Sequence, residues 1–143
     1  MIISYVPETE VYSRAFQLLR ECKNTLHLTM IMDKELDTPS TKYMQLLKKK
    51  IAMNIEVKRV GFGTKKQYGR AMRQLGYTTL PNNFRFKYTT DRKTVQRMFL
   101  VDSTKLLFAV YLQDQRFVFY TRHKVLVQGF LTFFNMLFAQ SDY

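Results

Sequence analysis

Side chains that could act as nucleophiles or metal ligands are few and scattered in this 143-residue sequence. Cys22 is the sole cysteine, and His27 and His123 are the only histidines. No second histidine, cysteine or acidic residue stands at ligand spacing from His27, which favours a packed or hydrogen-bonded histidine over a metal ligand. Cys22 falls on the apolar side of a predicted helix, where a thiol behaves as a small apolar residue. We therefore expect no metal site, no disulfide and no cofactor.

A block of positive charge is the clearest chemical pattern. The net charge is +12, yet residues 42–97 hold 15 Lys and Arg against two acids, a balance of +13, while the remainder holds 8 basic and 9 acidic residues. Such a block attracts polyanions, nucleic acid first; a solvated face that only keeps the protein soluble is the alternative. The candidate nucleic-acid or phosphate-binding residues are Lys48, Lys49, Lys58, Arg59, Lys65, Lys66, Arg70, Arg73 and Arg97.

Two segments inside this block have patterns that also occur in phosphate and nucleic-acid sites. Residues 61–66, GFGTKK, lead into a basic helix, so backbone N–H groups there could hold a phosphate. The spacing to the lysine is not that of a P-loop, and a flexible turn is favoured. Residues 84–88, FRFKY, could stack bases and pair with phosphates. The same alternation is typical of a strand with its rings in the core, which we prefer.

Apolar periodicity predicts the elements that position these residues. A helix is expected to begin near Pro7 and run to about Lys23, followed by a buried strand at residues 25–32. After a polar loop at residues 33–40, Ser40 or Thr41 can cap a second helix, which leads to a strand at residues 55–60. This strand–helix–strand order predicts a right-handed parallel crossover. A short helix at residues 67–75 comes next.

The last third of the chain predicts a meander closed by a helix. Strands are expected at residues 98–101, 106–112 and 117–120, with an Asp102-Ser103 turn after the first. Thr121 is a candidate cap for a last helix, which is apolar on nearly every side. Its apolar run is shorter than the roughly 20 residues that are needed to span a bilayer. Such a helix is buried by its own sheet or by a partner subunit. The candidate homodimer interface is Phe130, Phe133, Phe134 and Leu137.

The segments RMFLVDSTKLLF and RFVFYTRHKVLVQGFLTFFNMLF resemble the strand pair and closing helix of the phospholipase D-like (PLD-like) superfamily. The resemblance is nearest to the non-catalytic PLD-like domain at the C-terminus of archaeal TrmB-type transcription regulators. It implies an α/β fold with residues 1–143 as one domain: a single PLD-like lobe, with a mixed β-sheet flanked by helices and an apolar C-terminal helix.

The resemblance also identifies where catalytic groups would stand. Active members of that superfamily carry His-x-Lys and, after four more residues, Asp; the histidine takes the phosphoryl group and the lysine steadies its charge. The matching positions here hold Val95, Arg97 and Asp102, and Ala109 and Val110 replace the Gly-Ser that usually follows. Because valine cannot attack phosphorus, phosphodiesterase activity is not expected. Arg97 remains able to bind an anion, and Asp102 is interpreted as a structural turn residue.

Two functions fit these patterns. The first is a homodimeric, non-catalytic module that binds nucleic acid or another phosphate-rich partner and acts in transcription regulation. Without a winged helix-turn-helix pattern, its DNA contacts would come from the PLD-like domain or from a partner. The second is a ligand-sensing or protein-interaction domain whose basic face meets an acidic protein. A phosphodiesterase that uses His123 is disfavoured, because a histidine at a helix start is more often a cap or surface residue. The N-terminus has no signal-peptide pattern and the lone cysteine fits a reducing compartment, so we expect a cytoplasmic protein.

Overall fold

The computed structural model describes residues 2–93 and 95–143, and within them seven strands form one mixed sheet. The strands are β1 (Ile3–Val6), β2 (Thr25–Ile31), β3 (Glu56–Phe62), β4 (Phe84–Thr89), β5 (Arg97–Val101), β6 (Lys105–Leu112) and β7 (Gln115–Thr121). The helices are α1 (Val11–Glu21), α2 (Met32–Glu35), α3 (Thr41–Ala52), α4 (Lys65–Leu75) and α5 (Lys124–Gln140), with a 3-10 turn at Glu8–Glu10.

The sheet has a parallel half and an antiparallel half. Its strand order is β1-β7-β6-β5-β2-β3-β4. Strands β2, β3 and β4 are parallel; α3 lies in the connection from β2 to β3, and α4 in the connection from β3 to β4. The predicted parallel pairing of the first two of these strands is confirmed. Strands β5, β6 and β7 form the predicted antiparallel meander. The β6–β7 turn is a tight two-residue hairpin with Gln113 and Asp114 at φ 51 and 63°, and the β5–β6 turn has three residues, of which Asp102 and Ser103 both have φ 54°.

The apolar residues alternate between two cores, one on each face of the sheet. In β5, Phe99 and Val101 pack with α1, α3 and α4, whereas Met98 and Leu100 pack with α5. Each fully buried apolar side chain of this size contributes about 1.5–3 kcal/mol relative to an exposed one. The C-terminal helix therefore covers one face of the sheet by itself, and the other three long helices cover the opposite face.

Several boundaries differ from the sequence-based predictions. Strand β1 was not predicted; it pairs with β7 at the edge of the sheet. The segment predicted as a polar loop begins with the single-turn helix α2, which continues directly from β2. Thr121 does not cap α5: it ends β7 and accepts a hydrogen bond from the backbone N–H of His123, the residue before the helix. No helix of the described residues is long and apolar enough to cross a membrane.

Candidate nucleic-acid interface

Helix α4 begins at a sequence-encoded cap. The Thr64 hydroxyl accepts from the N–H of Gln67, and the Gln67 side chain accepts from the N–H of Thr64, so two otherwise orphaned donors are satisfied. This capping box starts the helix at Lys65, two residues earlier than predicted. The helix ends at Gly76, whose φ of 78° is the left-handed conformation that glycine adopts most readily.

The exposed side of α4 is basic. Ala71 and Leu75 are buried against the sheet, while four cationic side chains remain exposed. A Cβ added to Gly76 would lie 3.4 Å from Lys48 Nζ, which places that lysine beside the C-terminal end of the helix. We call this surface the basic stripe; it consists of Lys48, Lys65, Lys66, Arg70 and Arg73.

One cation of the basic stripe has an acidic partner. Arg70 Nη1 lies 3.0 Å from Asp37 Oδ1, with about half of the arginine side chain exposed. A pair this exposed contributes about 0–1 kcal/mol, so an incoming phosphate can compete for the guanidinium. The remaining cations of the stripe form no ion pair within the described residues.

The other four predicted cations lie elsewhere. Lys49 is exposed on α3. Lys58 points to the α5 face, where its Nζ lies 5.4 Å from the centre of the Phe138 ring. Arg59 is only 8% exposed, and Arg97 is held in an ion pair. The structure thus brings together five of the nine predicted residues and separates the rest.

The glycine-bearing turn before α4 does not offer a phosphate cradle. The N–H of Gly63 donates to Thr89 O at 3.0 Å, and the N–H of Thr64 is taken by Gln67. Gly61 lies within β3, where an added Cβ would be 2.7 Å from Met32 Sδ. These glycines permit close packing, and the N–H groups of Gly63 and Thr64 already have protein acceptors.

The aromatic and basic strand β4 belongs to the core, as preferred. Phe84 and Phe86 are 2% and 0% exposed, and the Phe86 ring lies 4.9 Å from that of Tyr68. Lys87 donates to Phe138 O at 3.0 Å on the α5 face, whereas Arg85 is exposed. The rings of Phe84 and Phe86 are therefore not available as a stacking platform for bases.

Arg97, which the resemblance matches to the lysine of the catalytic motif, forms a two-pronged pair with Glu35. Its Nε lies 3.0 Å from Oε2 and its Nη2 lies 3.1 Å from Oε1. Oε2 also accepts from the N–H of Ile31 at 2.7 Å, which holds the carboxylate at the end of β2. Burial lowers the pKa of Arg97, but the Glu35 carboxylate together with Tyr43 and Tyr111 outweighs burial, so the net pKa is raised. The sequence alone does not predict the partner Glu35, because it lies 62 residues from Arg97 and no periodic pattern links the two positions.

The histidine position of the motif is an apolar contact. Val95 is half-buried and packs with the α5 side of the core, whereas Arg97 lies on the side of α1 and α3. Gln96 between them donates to Ala109 O at 2.9 Å. Val95 and Arg97, the residues that the resemblance matches to the catalytic histidine and lysine, therefore lie on opposite sides of this sheet.

Asp102 joins the end of β5 to the start of β2. Its carboxylate accepts from the N–H groups of Lys23, Asn24 and Thr25 at 3.1, 2.7 and 3.1 Å, and from Cys22 Sγ at 3.7 Å. Partial burial raises the pKa of Asp102, whereas the hydrogen bonds to its ionised form lower the pKa. Together the hydrogen bonds have the larger effect, so the pKa of Asp102 lies below its ordinary value. These contacts give Asp102 the structural role predicted for it.

The remaining reactive side chains are not assembled into a site. His27 packs against the Phe134 ring at 5.1 Å, and burial together with the charge of Lys58 lowers its pKa to about 4. Cys22 is buried, and burial together with Asp102 raises its pKa to about 12. His123 is exposed at the start of α5. Among residues 2–93 and 95–143, no three His, Cys, Asp or Glu side chains cluster as metal ligands would.

The predicted dimer residues fall into two pairs. Phe134 and Leu137 are 0% and 6% exposed and belong to the protein's own core, which removes them from reach of a partner. Phe130 and Phe133 are half-buried and line an open apolar groove of about 430 Å³ beside Val95. Val125, at the rim of the groove, is 72% exposed.

Comparisons with known proteins identify the fold. None of the protein-family models matches the sequence, and no curated protein matches it. Among solved structures, the chain is similar to TrmBL2, an archaeal chromatin protein whose structure is described as showing a novel mode of DNA binding; the TM-score is 0.75 and the identity 13%, over 99% of this chain and 54% of that one. The chain thus spans about half the length of TrmBL2.

Two further structures match over nearly their full length. NucT from Helicobacter pylori has a TM-score of 0.73 and 7% identity, over 98% of this chain and 96% of that chain. Nuc from Salmonella typhimurium, a phospholipase D family member, has a TM-score of 0.64 and 13% identity, over 99% and 95%. The mixed seven-stranded sheet, its flanking helices and these likenesses agree: the chain has the phospholipase D-like fold.

Proposed function

We propose that this protein is a non-catalytic module that binds nucleic acid through the basic stripe. The observation that carries the proposal is the alignment of four exposed cations along α4 with Lys48 at the end of the helix. An 11-residue helix is about 16 Å long, and duplex DNA carries roughly nine phosphate charges over that distance. A stripe of this length can therefore contact several phosphates at once.

Two further observations support the proposal. TrmBL2, which has the same fold, is described as binding DNA, although an identity of 13% relates the folds and not the binding surfaces. The basic stripe also lies on a helix with its own cap and core contacts, so its cations are presented on a rigid element. We further propose a role in transcription regulation in the cytoplasm, with residues 1–143 acting as one domain.

Binding of fluorescein-labelled duplex and single-stranded oligonucleotides, followed by anisotropy, tests the proposal. The variant Lys65→Ala/Lys66→Ala/Arg73→Ala removes three cations of the stripe that form no ion pair with any described residue. Its matched control, Lys23→Ala/Arg122→Ala/Lys124→Ala, removes three exposed cations outside residues 42–97. We expect micromolar or tighter binding by the wild type and the control, and a loss of about tenfold or more in the stripe variant. Equal loss in both variants, or no binding at low salt, would contradict the proposal. In the second case an acidic protein partner would be the better explanation of the charge.

The absence of catalysis is a separate part of the proposal. Val95 supplies no nucleophile at the position where active relatives of this fold have histidine, and its side chain packs against the α5 core. We expect no hydrolysis of bis(p-nitrophenyl) phosphate above background. Hydrolysis by the wild type that disappears in His123→Ala would contradict this and would make the exposed histidine a displaced nucleophile.

We also propose that the protein forms a homodimer through the groove lined by Phe130 and Phe133. Half-buried aromatic side chains beside an exposed valine are a costly surface to leave in water. Sedimentation velocity of Phe133→Asp, with Thr132→Asp on the exposed side of the same helix as the control, tests it. We expect the control to remain dimeric and Phe133→Asp to be monomeric. A wild type that is monomeric at about 100 μM would contradict the dimer.

A further inference from the structure

A cavity of about 240 Å³ lies between the sheet and the helices α1, α3 and α4, and no residue of the basic stripe is part of its lining. Its polar lining includes Arg59, Arg97, Tyr43 and Glu35, and its apolar lining includes Met44. The cavity extends to the surface at Tyr12, Thr38 and Pro39, which are exposed. A small molecule could therefore enter it without opening the core.

Arg59 is the unusual member of this lining. It is 8% exposed on β3, and its Nε has no hydrogen-bond partner within the described residues. Its guanidinium lies 5.2 Å from the centre of the Phe86 ring, which supports one face of the group but accepts no in-plane hydrogen bond. The hydroxyl of Tyr43, in the same lining, is also buried without a partner. Buried donors without acceptors are rare in native proteins, and here two meet at one cavity.

The charges around the cavity leave one positive charge uncompensated. Arg97 is neutralised by its two-pronged pair with Glu35. Arg116, which also lines the cavity, pairs with Glu8. Arg59 forms no ion pair within the described part of the chain. An occupant with a single negative charge would complete this arrangement, whereas a second negative charge would find no unpaired cation among the described residues of the lining.

We propose that this cavity binds a small organic monocarboxylate, whose carboxylate pairs with the guanidinium of Arg59 and accepts a hydrogen bond from Tyr43. The fork of N–H donors on arginine matches the two oxygens of a carboxylate. The size is adequate, because an apolar cavity of about 150 Å³ already holds benzene. None of the five residues of the basic stripe lines the cavity, and of the three motif positions only Arg97 does, since Val95 packs on the other side of the sheet.

Isothermal titration calorimetry with matched pairs of acids and amides tests the proposal. The probes are acetate and benzoate, their neutral counterparts acetamide and benzamide, and inorganic phosphate, all at constant ionic strength in chloride. We expect at least one carboxylate to bind with a Kd below about 10 mM, and its amide to bind about tenfold or more weakly. Amide and acid binding equally, phosphate binding more tightly than either acid, or no carboxylate binding at all would overturn the proposal.

Variants localise the binding to Arg59. Arg59→Met keeps the length of the side chain and removes its charge, and the matched control Arg122→Met makes the same change at an exposed arginine. We expect Arg59→Met to lose about tenfold or more in carboxylate affinity and the control to bind as the wild type does. Because a core substitution can disturb folding, Tyr43→Phe provides a second variant that removes one hydroxyl; we expect it to fold and to bind several-fold more weakly. If Tyr43→Phe and a folded Arg59→Met both bound the carboxylate with wild-type affinity, the assignment would be overturned.

Discussion

The carboxylate of Asp102 accepts a hydrogen bond from the backbone N–H of Asn24 at 2.7 Å, across 78 residues of sequence. Lys23 and Thr25 donate to the same carboxylate. One side chain in a hairpin turn thus holds the start of β2, the strand that joins the parallel and antiparallel halves of the sheet.

Asp102→Ala should destabilise the protein by about 3 kcal/mol, because three backbone donors lose a charged acceptor and alanine is strained at φ 54°. Urea unfolding followed by circular dichroism measures the change. The control is Asp114→Ala, at an exposed hairpin position with φ 63°, where only the backbone strain changes. We expect this control substitution to lower the free energy of unfolding by about 1 kcal/mol. Equal losses at the two positions would show that the carboxylate contributes nothing beyond its turn conformation.

The same carboxylate makes stability depend on acid pH. Its pKa in the folded protein lies below the ordinary value of 3.8, so its contribution is present above pH 3.8 and is lost as the pH falls through the lower folded value. Asp102→Asn, which stays uncharged, should lack this part of the acid sensitivity. The test is to measure the free energy of unfolding of the wild type and of Asp102→Asn at pH 5 and below. If the two free energies fell in parallel below pH 3.8, the acid sensitivity would not come from Asp102.

His27 should produce a second pH dependence at higher pH. Its folded pKa of about 4 lies below the ordinary 6.5, so the unfolded chain takes up a proton that the folded protein does not. Stability should therefore fall as the pH drops from 6.5 to about 4, with a slope of at most about 1.4 kcal/mol per pH unit. The variant His27→Leu should flatten this window, and His123→Ala should leave it unchanged. A wild-type slope in His27→Leu would sink the interpretation.

Arg97 and Glu35 should be energetically coupled. Either Arg97→Met or Glu35→Gln leaves the other charge partly buried without its partner, and each should cost about 3 kcal/mol. The double variant should lose less than the sum, with a coupling of about 1–3 kcal/mol. A double-mutant cycle by urea unfolding measures it. Strictly additive losses would mean that solvent already screens the pair.

Much of the fold follows from local signals. Alternating apolar residues predicted β2 and β4, and Asp102-Ser103 predicted the turn between β5 and β6. The edge strand β1 escaped detection because four residues with one buried side chain carry too little periodicity. The start of α4 was missed by two residues because the capping box of Thr64 and Gln67 was not recognised.

The site was less predictable than the fold, because sequence charge does not report burial. Lys58 and Arg59 are adjacent in a basic segment, yet they point to opposite faces of β3, and Arg59 is enclosed. Alternation along a strand predicts that divergence once the strand is recognised. The pairing of Arg97 with Glu35 arises only from the sheet topology, which places the end of β2 beside the start of β5.

The salt dependence of duplex DNA binding tests the central claim most directly. Each phosphate contact releases counterions, so log Kd should rise with log salt concentration with a slope of about 0.9 per contact. The account predicts a steep slope for the wild type, reduced by about 2–3 in Lys65→Ala/Lys66→Ala/Arg73→Ala and unchanged in Lys23→Ala/Arg122→Ala/Lys124→Ala. The same slope in all three proteins would show that the basic stripe is not the nucleic-acid interface.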